Sequence, residues 1–252
     1  MRIELYKLIR KKTTYLLLIP MVIPILYGIA LNSDLEFVLT QDGEKFEFIS
    51  RGIGLFEFIY TMICTANYFF LFILVVIGTM LMAREIESKE VNLYVYRIAK
   101  RIKIVLSKAG AMQLLITIYY LVIVTLSVIV YLISSDVANY GIMSILDSDM
   151  QKYIFAIAAI YLGTIVIAAL CIFVGIRKKA FTTFSITFIL YIISMYFGNF
   201  PLIMNYFPEH FAANLVENGL DSLNVAFYFF VYVLYILALV LLSSISFFKK
   251  EL

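Results

Sequence analysis

An uninterrupted apolar run lies at residues 71–77, Leu71-Phe72-Ile73-Leu74-Val75-Val76-Ile77. Such continuity is typical of a membrane-spanning helix, because the strands of a membrane barrel alternate apolar and polar residues. The run lies within a longer apolar segment, residues 57–82, which exceeds the roughly 20 helical residues that cross a bilayer core. The segment therefore predicts a helix in lipid that is long enough to tilt or to extend beyond it.

Further apolar segments of suitable length lie on both sides of this one. The chain has 252 residues, of which 63% are hydrophobic, well above the roughly half that is usual in globular domains. A soluble core of this size cannot bury that much apolar surface. We therefore expect an all-α polytopic membrane protein with a single transmembrane domain over residues 1–252. The six predicted spans cover residues 14–31, 57–82, 109–133, 152–174, 181–199 and 225–247.

Basic residues separate sharply between the two sides of this six-span arrangement. With the N-terminus inside, 17 of the 20 Lys and Arg residues lie in inner segments, and only Lys45, Arg51 and Lys152 lie outside. Acidic residues divide the other way, with 12 outside and 5 inside. Because short inner loops of membrane proteins are enriched in Lys and Arg, the pattern predicts that both termini are cytoplasmic.

The first dozen residues form an amphipathic pattern. Met1, Leu5 and Leu8 share one helical face, whereas Glu4 and Lys7 share another. This pattern predicts a helix that lies in the inner membrane interface before the first span. The alternative is a basic flank whose only role is to set the orientation of that span.

A second amphipathic stretch follows the second predicted span, at residues 84–101. Val91, Tyr94, Val95 and Ile98 recur there at helical spacing between charged residues. The spacing predicts a short cytoplasmic helix with an apolar strip. That strip fits a groove on a soluble partner, and contact with lipid explains the pattern equally well.

The sequence offers little support for enzyme chemistry. It has no Gly-rich phosphate loop, so ATP hydrolysis is not expected on this chain. His210 is the only histidine and lies in a predicted external loop, which disfavours intramembrane serine or zinc proteases. No catalytic residue, metal ligand or cofactor-binding residue is predicted.

Transport is the remaining class of function. The middle of each predicted span lacks an ionisable side chain, which disfavours ion coupling without excluding an ion-coupled secondary transporter of drugs or lipids. Asn67, Tyr119 and Tyr120 are candidates for a substrate path within the membrane. Glu57 is a candidate for an external gate, although a rim position wetted by lipid headgroups explains it as well. The acidic outer segments favour attraction of cationic peptides, and the same imbalance also follows from topology alone.

Two motifs carry a family resemblance. The first is Arg84-Glu85-Ile86-Glu87-Ser88-Lys89-Glu90, and the second is Arg101-Ile102-Lys103-Ile104-Val105-Leu106-Ser107-Lys108. With the six-span layout, they resemble the membrane permease subunits of the type-2 ABC exporter family, which work with a separate ATPase. Members of that family typically carry a Pro-x-x-Arg element between these motifs, and Ile98 stands here where the Pro is expected.

The resemblance implies a partner and a mechanism. Residues 84–101 would be the coupling helix that docks on an ABC ATPase subunit, which would hold the ATP and magnesium. A second permease subunit, identical or not, would complete the route for an amphipathic peptide or toxin, in the manner of peptide-toxin or lantibiotic export and immunity. We expect a bacterial plasma-membrane location, contact with lipid and no nucleic-acid partner. The coupling residues implied are Glu85, Glu87, Val91, Tyr94, Val95, Arg97 and Arg101.

The resemblance also covers the segment before the last span. It implies that residues 201–220 fold as short re-entrant or external helices. Such broken backbone at membrane depth is tolerated only against protein or a wet cavity.

Overall fold

The computed structural model describes nine ranges of the chain, namely residues 2–32, 40–41, 44–45, 54–91, 101–134, 150–198, 200, 203–220 and 224–249. Within these ranges the fold is helical, apart from an antiparallel pair of two-residue strands, β1 (Thr40–Gln41) and β2 (Glu44–Lys45). The helices are α1 (Arg2–Arg10), α2 (Leu18–Met21), α3 (Ile23–Asn32), α4 (Leu55–Glu87), α5 (Arg101–Ser134), α6 (Met150–Arg177), α7 (Ala180–Phe197), α8 (Pro208–Asn218) and α9 (Val225–Lys249). The predicted all-helical class is confirmed.

Five of these helices, α4, α5, α6, α7 and α9, are long and apolar enough to cross a membrane. They coincide with the second to sixth predicted spans. The 33 residues of α4 rise about 50 Å, well beyond the roughly 30 Å of a bilayer core. The chain is therefore a multi-pass membrane protein by the length and composition of its helices.

The first predicted span has a different form from the other five. A 3₁₀-helix at Lys12–Leu17 leads into α2, and a turn at Val22 separates α2 from α3. Pro20 and Pro24 lie within this stretch, and proline lacks the N–H that a continuous helix needs. The apolar stretch Thr13–Ile29 is thus shorter than the five long helices. The count of six spans stays a prediction.

Helix α4 forms the centre of the bundle. In its most apolar window 72% of the residues are buried, against 6% in α9. Its most extensive neighbour is α6, which runs parallel to it: Tyr60 lies against Tyr153 at one level, and Gly175 meets the backbone of Ala83 at another. The two levels are 23 residues apart on α4, or about 35 Å of helix rise.

Helix α8 packs mainly against α6, and its first residues also approach α7 and α9. Pro208, its first residue, packs on Gly163 near the middle of α6, where an added Cβ would lie 3.0 Å from the proline Cβ. At the other end of α8, Glu217 lies close enough to Tyr60 to interact electrostatically. The helix therefore runs from the interior of the bundle back toward the Tyr60–Tyr153 level.

The end of α4 is a left-handed turn. Ser88 caps the helix, and Lys89 follows with a φ of 58°, a conformation that costs a residue with a Cβ about 1 kcal/mol or more. Lys89→Gly is therefore expected to stabilise the fold, which a rise of the thermal unfolding midpoint of detergent-purified protein would register. Lys178→Gly, in the turn between α6 and α7, where the structure records no positive φ, is the matched control and is not expected to produce that rise.

Candidate functional site

A buried ion cluster joins three helices at the α1 end of the bundle. Lys108, on the second turn of α5, is 0% exposed. Its ammonium donates hydrogen bonds to Glu85 Oε2 of α4 at 2.5 Å and to the Leu81 carbonyl at 2.9 Å. A third bond, of 3.3 Å, reaches Glu4 Oε2 of α1. An ammonium has three protons, so this site satisfies all of them.

Two further lysines of the N-terminal segment lie near the other oxygen of the Glu85 carboxylate. Lys7 and Lys11 lie 3.5 and 3.7 Å from Glu85 Oε1 and are both partly exposed. The paired charges at the centre of the cluster are desolvated, so breaking them apart is costly even though forming them from water yields little net stability. The cluster therefore holds α1, α4 and α5 together as one unit.

A second polar cluster lies inside the bundle, around Asn67 of α4. The Asn67 amide donates to Glu209 Oε1 at 3.0 Å, and the Asn67 carbonyl accepts from the Tyr120 hydroxyl of α5 at 3.2 Å. Asn67 is seven residues beyond Tyr60, or about 10 Å further along α4. The carboxylate of Glu209 therefore reaches well into the bundle, although α8 is not one of the five candidate spans.

Aromatic side chains pack against this polar cluster. Phe70 stacks on Tyr119 with ring centroids 3.6 Å apart, and Tyr120 meets Phe70 and Tyr161 edge to face. Tyr119 is 2% exposed, and its hydroxyl has no hydrogen-bond partner among the described residues. These contacts make the interface between α4 and α5 a packed core at this depth.

A groove of about 290 Å³ opens between α5, α6 and α9. Its walls are mostly apolar and include small residues that separate the helices. The lining residues include Ala109, Gly110, Ala168, Ala169, Ile236 and Val240. Gln113 also lines the groove and donates a hydrogen bond to the Tyr161 hydroxyl. A second cavity, of about 340 Å³, lies beside the ion cluster and is lined by charged residues such as Lys11, Arg84 and Glu90.

The structure describes only part of the predicted coupling segment. Residues 84–87 continue α4 instead of starting a new helix. Glu85 is 3% exposed and bonded to Lys108, so its carboxylate is occupied within the chain. Glu87 is exposed and accepts a hydrogen bond from the Ala180 backbone N–H at the start of α7. Val91 is fully buried. Tyr94, Val95 and Arg97 lie outside the described residues, as does the side chain of Arg101.

The predicted path residues occupy two different environments. Asn67, Tyr119 and Tyr120 are buried between α4 and α5, and none of them lines either of the two cavities. Glu57 is partly exposed in the first turn of α4, where a carboxylate interacts favourably with the helix dipole. The structure thus brings Asn67 and Tyr120 into one hydrogen-bonded group and leaves Glu57 at the end of its helix.

Sequence reasoning did not single out Glu4, Lys108 or Glu209 as site residues. Lys108 and Glu4 were counted as inner charges, and nothing local in the sequence shows that they meet across 104 positions. Glu209 falls in the predicted external loop that contains His210, whereas the structure places both residues in α8. A signal was available there, because Pro208 followed by Glu209 is typical of the first turn of a helix.

A comparison of the chain with family models, with curated proteins and with solved structures gives no match.

Proposed function

We propose that the chain is the membrane permease subunit of an ATP-driven exporter in a bacterial plasma membrane. In this proposal six spans cross the membrane, both termini are cytoplasmic, and two permease subunits form the substrate route. A separate ABC ATPase subunit holds the ATP and magnesium. The exported substrate is an amphipathic peptide or a related toxic compound, carried for secretion or for self-protection.

The observation that carries this proposal is the buried ion cluster. Segment 84–101 joins the end of α4 to the start of α5, which is where Lys108 binds Glu85 and Glu4. A force applied to that segment by a partner therefore acts on α1, α4 and α5 together. Such a rigid connection supports a mechanism in which a soluble subunit drives the membrane helices from outside.

In this proposal the energy for transport comes from another chain. Driving a two-state transporter almost completely from one state to the other takes about 5.5 kcal/mol of differential binding. This chain carries no phosphate-binding loop, and a partner that closes on ATP supplies energy on that scale.

Tyr94→Asp is expected to abolish co-purification with the ATPase, because it places a carboxylate in the apolar strip proposed to dock. The test uses tagged protein purified from the native host. A captured chain counts as the ATPase only if it hydrolyses Mg-ATP and its sequence contains a phosphate-binding loop. Ser88→Asp adds the same charge in the exposed turn near the start of the segment, outside its apolar strip, and serves as the control. Val91→Asp is unsuitable because Val91 is buried. Equal capture by Tyr94→Asp and wild type would contradict the coupling assignment.

An ion-coupled secondary transporter is the second candidate, and Glu209 favours it. Ionisable side chains at membrane depth are costly and usually serve function, and this one is bonded to Asn67 inside the bundle. The two candidates differ in their energy source. Uptake of substrate into inverted vesicles that needs ATP and survives collapse of the proton gradient supports the ABC proposal, and the reverse dependence supports ion coupling.

A further inference from the structure

We propose that Glu209 is a proton-binding group that controls the docking of α8 on α4, with the protonated form docked. This role of Glu209 is independent of whether ATP or an ion gradient drives transport. The position of α8 would then depend on the pH of the solution that has access to Glu209.

Among the described residues, the hydrogen bond of Glu209 to Asn67 is the one that joins an ionisable side chain at the start of α8 to the middle of α4. Its Oε1 accepts from the Asn67 amide at 3.0 Å, and Asn67 is held in place by the Tyr120 hydroxyl. Pro208 seats the same turn of α8 on Gly163 of α6. Glu209 as a whole residue keeps part of its surface exposed, although its carboxyl is buried.

The groups that face Glu209 are neutral at ordinary pH. Tyr120 of α5, Tyr191 of α7 and Cys64 of α4 all lie close enough to interact with it electrostatically. On its own helix, His210 packs its ring on Gly198 at the end of α7, and Glu217 lies toward Tyr60. Burial raises the pKa of the Glu209 carboxyl above its usual range, while Tyr191 and Asn67 favour the charged form and offset part of that rise.

The direction of the effect follows from proton linkage. Glu209 binds its proton more tightly when α8 is docked than when water surrounds the carboxyl, so docking takes up a proton. The docked state is therefore most stable below the pKa of the undocked carboxyl, roughly 4.3. It loses stability as the pH rises from there through the higher pKa of the docked state.

The test compares wild type with Glu209→Gln, which keeps the size and hydrogen bonding of the protonated side chain. The first readout is the thermal unfolding midpoint in detergent between pH 5 and pH 8.5. We expect the midpoint of wild type to fall relative to Glu209→Gln by at least about 2 °C over this range. The second readout is alkylation of Cys64, which lies beside the docked α8, resolved from buried Cys171 by peptide mass spectrometry.

Undocking exposes Cys64, so its alkylation in wild type should accelerate more steeply with pH than in Glu209→Gln, by up to about tenfold per pH unit. Superimposable pH profiles of the two proteins would overturn the proposal. If Glu209→Gln does not accumulate, the infrared band of protonated carboxyl groups in wild type and Glu209→Asp decides. A band that titrates near neutral pH and shifts in Glu209→Asp supports proton binding by Glu209. The absence of such a band contradicts the proposal. Loss of the ATPase interaction would leave all these readouts unchanged.

Discussion

Lys108→Met is expected to remove most of the folded protein from the membrane. The substitution keeps a long apolar side chain but takes away the cation shared by Glu85 and Glu4, which are 3% and 6% exposed. Breaking a buried ion pair by removing one partner costs about 3–5 kcal/mol, because the remaining charge stays desolvated. That is a large part of the roughly 5–15 kcal/mol that stabilises a typical fold. The yield of monodisperse protein in detergent and its unfolding midpoint measure the loss.

Lys103→Met is the matched control for this prediction. Lys103 lies on the same helix, five residues before Lys108, and is exposed, so its loss should change stability little. The double variant Lys108→Met with Glu85→Gln removes the shared cation together with one of the two carboxylate charges. It should be more stable than Lys108→Met alone, as coupling within one network requires. If Lys108→Met were as stable as Lys103→Met, the cluster would not be what holds α1, α4 and α5 together.

The long helices could be predicted from the sequence because their signal is local. Each of the five is a continuous apolar stretch, and lipid as the surrounding solvent demands little more than length and hydrophobicity. Hydropathy alone does not fix where these helices end, because it reports only where the apolar stretch ends. Hydropathy ended the second span at residue 82, whereas α4 continues through Arg84 to Glu87, because a helix does not have to stop where the lipid does.

The candidate site could be predicted only in part. Asn67 was identified because a polar amide within an apolar run is conspicuous, and Tyr120 was named beside it. Glu209 supplies the third member from a segment 142 residues away from Asn67, and a local pattern cannot show that this segment folds back into the bundle. Lys108 presents the same difficulty. In the sequence it is one of many inner basic residues, and only its burial and its three hydrogen bonds in the fold distinguish it from Lys103.

Charge sorting and tertiary pairing therefore act on the same residues. Lys7, Lys11 and Lys108 help to set the predicted orientation, and all three surround the single carboxylate of Glu85. A topological signal needs only the sign of a charge on one side of the membrane, whereas the cluster needs each ammonium within about 4 Å of a particular carboxylate oxygen. This difference explains why the orientation can be counted from the sequence and the cluster cannot.

Gly78→Leu is expected to be the second severe substitution, because side chains of both α5 and α6 pack directly against α4 at Gly78. A Cβ at Gly78 would lie 2.9 Å from Cys171 Sγ of α6 and 3.4 Å from Met112 Cε of α5. Cys171 is held in place, with Thr79 and the Val75 carbonyl within 3.6 Å of its sulfur. Small residues let membrane helices approach in this way, and overpacking such a site typically costs about 1–3 kcal/mol or more.

The control for Gly78→Leu is Ala238→Leu, which enlarges an exposed residue of α9. Unfolding midpoints of the two variants in detergent should differ by several degrees, with Gly78→Leu the lower. The cause can be isolated with Gly78→Ala, whose single methyl group meets mainly the Cys171 sulfur. Adding Cys171→Ala removes that sulfur, so the double variant should regain stability relative to Gly78→Ala. If Cys171→Ala instead lowers the midpoint equally in both backgrounds, the two side chains do not compete for the same space, and the close approach of α4 and α6 is not set at Gly78.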